Sequence, residues 1–193
     1  MKPNLEMLCP QLFLPRIEDI RLDELKSRGY RALIVDLDNT LVSWKSWRVQ
    51  PAVRAWLEQA KALGFQICIV SNGLIKRRIE MFSRDLGIPA IPKALKPKPN
   101  GFLEALERMG SSVRDTVVVG DQLFTDVLGG NLLGLLTILV LPVDTNELFA
   151  TIITRTQEKL ALLRLRRAGR LTRHLAWPEE FPLPSWSANV AIG

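Results

Sequence analysis

Residues Arg31-Ala-Leu-Ile-Val-Asp-Leu-Asp-Asn-Thr-Leu-Val42 run an apolar, largely branched segment directly into two carboxylates and a hydroxyl. A continuous apolar run such as Ala32 to Val35 predicts a strand buried on both faces, as in a parallel sheet. Ligands of open α/β sheets bind beyond the carboxyl ends of the strands, which is where Asp36, Asp38 and Thr40 fall. Alternate side chains of an extended segment share a face, so the three converge if extension persists. A turn beginning at this point is the other outcome. Two acids at one strand tip repel: like charges about 4 Å apart cost roughly 4 kcal/mol at an effective dielectric near 20. A hard divalent ion such as Mg2+ relieves that cost, because it takes carboxylate oxygen and keeps positions open for water and substrate phosphate. The plainer alternative is an Asp-rich turn that closes a strand, with Asn39 and Thr40 as turn or capping residues.

Outward from this stretch, the same layout recurs. Upstream, residues 1–17 read as irregular, and Ile17, Ile20, Leu22 and Leu25 predict a short helix stopped by Gly29. Downstream, Pro51 opens a helix with Val53, Trp56, Leu57 and Ala60 on one side, and Gly64 ends it. Phe65 to Val70 is a second buried strand, again ending in polar residues, Ser71-Asn72-Gly73, before a basic helix from Ile75 to Leu86. Ile88 to Ile91 is a short third strand, followed by Lys93, Lys96 and Lys98 among prolines. Phe102, Leu103, Leu106 and Met109 mark another helix, Thr116 to Val119 a fourth strand ending in Gly120-Asp121 through Asp126, and Leu135 to Leu141 a fifth. Strands alternating with helices predict an α/β fold: a doubly wound, Rossmann-like parallel sheet of about five strands. Right-handed crossovers place all its strand ends on one edge. Residues 1–150 form this domain with its helical lead-in. Residues 151–193 form a basic helix with Arg164, Arg166, Arg167, Arg170 and Arg173, then a Pro/Trp-rich tail from Trp177 without regular structure.

The 193 residues suit one domain with an appendage. Lysine and arginine number 26 against 20 acids, a net charge of +6 that fits an anionic partner without choosing among phosphorylated substrate, nucleic acid and acidic lipid. Cys9 and Cys68 are too few for a disulfide framework or a cysteine-ligated zinc site, which favours a reduced, cytoplasmic setting. The amino-terminal residues carry no signal-peptide pattern. The apolar run from Val127 to Val143 is broken by glycines and Pro142, and reads as helix, turn and buried strand rather than a membrane span. The lone His174 reads as solvated and Cys68 as core.

Four polar clusters therefore follow successive strands: Asp36/Asp38/Thr40, Ser71/Asn72, Lys96 and Asp121/Asp126. This ordered set resembles the haloacid dehalogenase superfamily of phosphohydrolases, whose motifs are Asp-x-Asp-x-Thr, a Ser or Thr, a Lys, and an acidic pair after Gly. The resemblance covers residues 31–141. It implies that Asp36 is the nucleophile and Asp38 the general acid and base. It further implies that Asp36, Asp121 and the backbone carbonyl of Asp38 bind Mg2+, with Asp126 nearby, and that Thr40, Ser71, Asn72 and Lys96 hold phosphate oxygens. Lys93 or Lys98 could take the place of Lys96, and Ser71, Asn72 and Asp126 could be simple helix caps. The short spacings from Asp38 to Ser71 and from Asn72 to Lys96 leave no room for an inserted cap domain, which suits a bulky or surface-presented substrate.

The Asp-Leu-Asp-Asn-Thr-Leu-Val run, the Ser-Asn pair and Gly-Asp-Gln-Leu-Phe-Thr-Asp-Val further resemble the YqeG-like class IIIA subgroup, itself similar to phosphatidylglycerophosphate phosphatases. That resemblance implies removal of a terminal phosphate from a lipid headgroup. Lys76, Arg77 and Arg78 are placed to attract a second phosphate. Trp44 and Trp47 are placed for a lipid interface, and the late arginines for peripheral contact with an anionic membrane. A phosphoprotein, nucleotide or sugar phosphate is the alternative substrate. A nucleic-acid-binding module with an idle site is the alternative of another class, disfavoured by the intact acids.

Overall fold

The computed structural model describes residues 5–144 and 152–169. Six parallel strands form one sheet: β1 (Leu12–Leu14), β2 (Ala32–Val35), β3 (Gln66–Val70), β4 (Ala90–Ile91), β5 (Thr116–Gly120) and β6 (Leu136–Val140). Their spatial order is β1-β6-β5-β2-β3-β4, which puts β2 in the middle, paired with β3 on one side and β5 on the other. Because strand side chains alternate, Leu33 and Val35 enter one core and Ala32 and Ile34 the other. Both faces are apolar because both are covered. The helices α1 (Leu22–Ser27), α2 (Pro51–Ala62) and α3 (Lys76–Leu86) supply the first layer, with Leu25, Trp56, Leu57, Ile79 and Phe82 buried against the sheet. On the other face, α4 (Asn100–Met109) buries Phe102, Ala105 and Leu106, beside α5 (Leu128–Leu133). The last helix, α6 (Ile152–Arg167), sets Ala161 and Leu165 against Leu8, Phe13 and Leu139.

Local chemistry explains the element ends. Pro51 occupies the first turn of α2, where its missing N–H costs nothing. Gly87 and Gly110, at φ of 62° and 60°, end α3 and α4 in the left-handed conformation that glycine adopts without strain. The buried Trp56 indole donates to the carbonyl of Ile20 at 3.2 Å, tying α2 to the segment before α1.

The expectation of an irregular segment over residues 1–17, and with it a count of about five strands, is corrected. Residues 5–8 form a 3-10 turn and Leu12–Leu14 a sixth strand in register with Ile138 to Val140 of β6. Three residues are too few to display a period, so this strand is specified by its distant partner. A buried polar set fixes the match. The Gln11 side-chain oxygen accepts from the Thr137 N–H at 2.6 Å, while the Asn131 amide donates to the carbonyls of Met7 and Cys9 at 2.8 and 3.0 Å. The lead-in helix is likewise split into a 3-10 turn, Ile17–Asp19, and α1. The expectations for Arg170, Arg173, His174 and the tail from Trp177 fall outside the described residues.

Candidate active site

Four strands deliver the polar corners to the carboxyl edge of the sheet. Asp36 continues the β2 ladder by one bond, its N–H donating to the Val119 carbonyl at 2.9 Å. Extension then fails at Asn39, which takes φ of 65°, a left-handed value that asparagine tolerates better than most residues. The chain folds back, with the Asn39 N–H on the carbonyl of Val42 at 2.7 Å. Thr40 is thereby turned inward, where its buried hydroxyl donates to Asp121 Oδ1 at 3.3 Å.

Ser71, just past β3, is buried and accepts the Gly73 N–H at 2.9 Å through Oγ, so it shapes the loop entering α3. The Asn72 carboxamide is engaged at both ends by one residue: its Nδ2 donates to the Lys96 carbonyl at 3.0 Å and its Oδ1 accepts the Lys96 N–H at 2.8 Å. Asn72 thus positions the backbone of Lys96. The Lys96 ammonium, buried, reaches Asp36 Oδ1 and Asp126 Oδ1, each at 2.6 Å. Lys93 and Lys98 are exposed, so burial distinguishes Lys96 from its two neighbours. Asp126 serves two partners, since its Oδ2 also accepts the Gln122 N–H at 3.2 Å at the head of a π-helical turn, Leu123–Val127.

Asp36, Lys96, Asp126, Asp121 and Thr40 are thus gathered at one buried centre. Beside it opens a pocket of about 400 Å³ whose walls include Asp36, Asp38, Ser71, Asn72, Trp44 and Arg78.

Arg78 is the side chain whose place the sequence pattern does not convey. Grouped with Lys76 and Arg77 it reads as a surface attractor of phosphate, yet it is buried and ion-paired through Nη1 with Asp38 Oδ1. Its Nη2 donates to the carbonyls of Ser43 and Ser46, both at 3.0 Å, and the guanidinium lies 5.0 Å from the Phe82 ring centre and 5.9 Å from that of Trp47. One cation therefore holds both the Asp38 carboxylate and the aromatic loop after it. The available signal was its place beside Ile79 and four residues before Phe82, on the apolar side of α3.

The electrostatics are unbalanced. Three buried carboxylates, Asp36, Asp121 and Asp126, face one ammonium. Burial pushes the Asp36 carboxyl well above the ordinary carboxylate range; Lys96 opposes this, and Asp126 and Asp121 add to it. Burial alone would lower Lys96, but Asp126 and Asp36 outweigh it and hold the ammonium protonated. With all three acids ionised the centre carries an excess of two negative charges, which a divalent cation would offset. Among the described residues no three His, Cys, Asp or Glu side chains are grouped to hold a metal unaided.

Gly120 keeps this centre in register. A Cβ there would overlap the Asp126 carboxyl group. Gly120→Ala is expected to displace Asp126 from Lys96, lowering stability by about 1–3 kcal/mol as an overpacked site and turnover by about tenfold or more. Chemical denaturation and initial rates on a soluble phosphomonoester measure the two effects.

Carboxylates, a buried lysine and a hydroxyl converge at the carboxyl edge of a parallel sheet, and the chain belongs to the haloacid dehalogenase-like hydrolases: the family model so described matches residues 11–134. Within that family it falls in the YqeG-like class, being 43% identical over 174 residues to the probable phosphatase YqeG of Bacillus subtilis, across 90% of this chain and 98% of that one. It is a phosphatase. It is also 30% identical over 171 residues to the chloroplastic/mitochondrial phosphatidylglycerophosphate phosphatase 1 of Arabidopsis thaliana, spanning 84% of this chain but 48% of that protein. One solved structure superposes with a TM-score of 0.53 over 74% of this chain and 86% of its own, at 16% identity, a likeness of fold.

Proposed function

We propose that the protein is a Mg2+-dependent phosphomonoesterase that removes the terminal phosphate of phosphatidylglycerophosphate through an aspartyl-phosphate intermediate. The observation that carries this reading is the placement of Asp36: its carboxylate lines the open pocket while Lys96 anchors one of its oxygens and Asp38 stands on the same wall. Asp36, Asp121 and the backbone carbonyl of Asp38 would hold the cation, which when bound neutralises phosphate charge. A carboxylate meeting a dianionic phosphate at about 4 Å faces roughly 8 kcal/mol of repulsion at a dielectric near 20, about six decades of rate. Lys96 offsets part of it from within the protein.

In the first displacement an Asp36 oxygen bonds to phosphorus and the ester P–O bond breaks, while Asp38 delivers a proton to the departing alkoxide. In the second, Asp38 takes a proton from water, the hydroxide attacks phosphorus, and the acyl–phosphate P–O bond breaks to regenerate Asp36 and release phosphate. Arg78 keeps Asp38 oriented for both transfers. Thr40 and Asn72 act at one remove, on Asp121 and Lys96 respectively, and Ser71 shapes the phosphate loop.

The lipid substrate is supported by the resemblance to the plant enzyme and by the open mouth. Only a loop, α2 and β3 lie between Asp38 and Ser71, and only a loop, α3 and β4 between Asn72 and the Lys96 loop. Among the described residues no helix is long and apolar enough to cross a membrane; the proposed encounter with lipid is a peripheral one, on the cytoplasmic side. The deciding assay compares kcat/KM on phosphatidylglycerophosphate in detergent micelles with glycerol 3-phosphate, a sugar phosphate, a nucleotide and a phosphopeptide. A preference for any soluble ester over the phospholipid rejects the lipid assignment.

The metal assignment makes its own prediction. Mg2+ at about a hundredfold excess over its Kd should stabilise the fold by about 2.7 kcal/mol, or roughly 5–11 °C in Tm for a chain of this size. Asp121→Asn should remove most of the shift, and a chelator should reverse it. A Tm indifferent to Mg2+ excludes the site.

A further inference from the structure

The four most exposed large apolar side chains among the described residues stand on three loops whose other residues build the pocket or the buried centre beside it. They are Leu74 (84%), Leu95 (63%), Ile75 (61%) and Trp47 (55%). Leu74 and Ile75 form part of its wall, and Trp47 stacks toward Arg78, which lines it too. Leu95 sits between Ala94, whose N–H bonds the Ser71 carbonyl at 3.0 Å, and Lys96, clamped by Asn72. Leu95 also adopts φ of 58°, a conformation that branched side chains avoid. The loop thus holds a strained backbone while presenting an apolar side chain to solvent.

The three segments that carry these residues, 43–48, 73–78 and 93–98, contain eight basic residues and no acid. Two of the eight, Arg78 and Lys96, are buried, leaving Lys45, Arg48, Lys76, Arg77, Lys93 and Lys98 exposed among the apolar tips. Lys76 retains one surface partner, Glu80, at 3.5 Å. Apolar tips ringed by cations are the pattern of a surface that inserts shallowly into an anionic interface.

We infer that this rim, Trp47, Leu74, Ile75 and Leu95 with its surrounding lysines and arginines, is a docking surface for an anionic phospholipid bilayer, seated so that the pocket opens onto the headgroup layer. The inference rests on the lipid-phosphate reading given above and names the partner of that site. A bilayer suits the position better than a folded protein or a nucleic acid. Whatever rests on these loops covers the pocket mouth, and a bilayer alone also supplies the ester to be cleaved. The tips stand on three separate loops interleaved with exposed cations, whereas the core of a protein interface is depleted of charge, and leucine and isoleucine offer nothing to a phosphate backbone. Tryptophan at the edge suits the headgroup level.

The test uses the full chain and reads partition rather than turnover. Sedimentation with vesicles of phosphatidylcholine containing about one-third phosphatidylglycerol should pull down the protein, with a blue shift in tryptophan emission, while pure phosphatidylcholine vesicles should not. Leu74→Ser/Leu95→Ser should weaken partition by about tenfold or more, with an unchanged Tm as proof of folding. Equal partition of wild type and double variant overturns the inference, as does failure of wild type to bind anionic vesicles. Light scattering that shows a wild-type dimer dissociated by the double substitution assigns the rim to a second copy of the chain and overturns it too. Turnover of phosphatidylglycerophosphate by wild type in detergent micelles reports on the catalytic reading alone, so the two can fail separately.

Discussion

Replacing Asp36 by Asn should lower turnover by at least about four decades, the scale seen when a nucleophile is removed from an otherwise intact site. The substitution is close to isosteric, and an amide oxygen can still accept from Lys96. What is lost is the negative oxygen that bonds to phosphorus. The variant should nevertheless fold well. Burial holds the Asp36 carboxyl above its ordinary range in the folded protein, so the unfolded chain gives up this proton at lower pH than the folded one. In the absence of metal, Asp36 therefore stabilises the fold while pH is below the ordinary carboxylate value near 4. That contribution declines as pH rises from there through the raised folded value. Asp36→Asn should flatten that part of the stability profile and raise Tm at neutral pH in metal-free buffer. Steady-state kinetics with thermal melts from acid to neutral pH measure both. Near-normal turnover by the variant would remove Asp36 from the nucleophile's role.

Lys96→Met should damage both stability and rate. The ammonium is the partner of two buried carboxylates at 2.6 Å, and deleting one member of a buried ionic set leaves charges that neither water nor protein satisfies, a cost of about 3–5 kcal/mol. For a chain of this size that corresponds to roughly 6–20 °C in Tm. Turnover should drop by about a hundredfold or more, because the same cation faces the phosphate charge that Asp36 must approach. Mg2+ should recover part of the lost stability and little of the rate. Lys93→Met and Lys98→Met, at exposed positions, should shift Tm by no more than about 1–2 °C, within the usual range for surface changes. Calorimetry on the three variants settles which lysine belongs to the centre.

What the amino-acid order disclosed follows from how local each feature is. Strand β2 and the corners at Asp36, Ser71 and Asp121 are legible because each is an apolar run followed at once by a polar residue. The choice among Lys93, Lys96 and Lys98 is not local. The Lys-Pro-x-Pro pattern favours Lys96, but which ammonium the loop turns under the sheet edge is decided by the fold, which buries Lys96 and leaves Lys93 and Lys98 exposed. The motif resemblance places Asn72 and Thr40 as phosphate ligands; the hydrogen bonds their side chains make to Lys96 and Asp121, partners 24 and 81 residues away, are not legible in the sequence. The charge of Arg78 points to the surface, whereas its helical position beside Ile79 and four residues before Phe82 points to the buried side of α3, where it lies.

Strand β1 shows a different kind of non-locality, with a bearing on biosynthesis. Leu12 pairs with Ile138, which lies 126 residues further on. At about 5–20 residues per second, the ribosome needs roughly 6–25 seconds between these two positions. Throughout that interval the nascent Leu-Phe-Leu segment lacks its strand partner β6 and keeps only packing neighbours such as Leu8 and Ile17, which leaves its backbone hydrogen-bonding groups open to chaperone capture. A chain stalled before β6 should accordingly carry a protease-sensitive amino terminus, and read-through to Val140 should be what confers resistance.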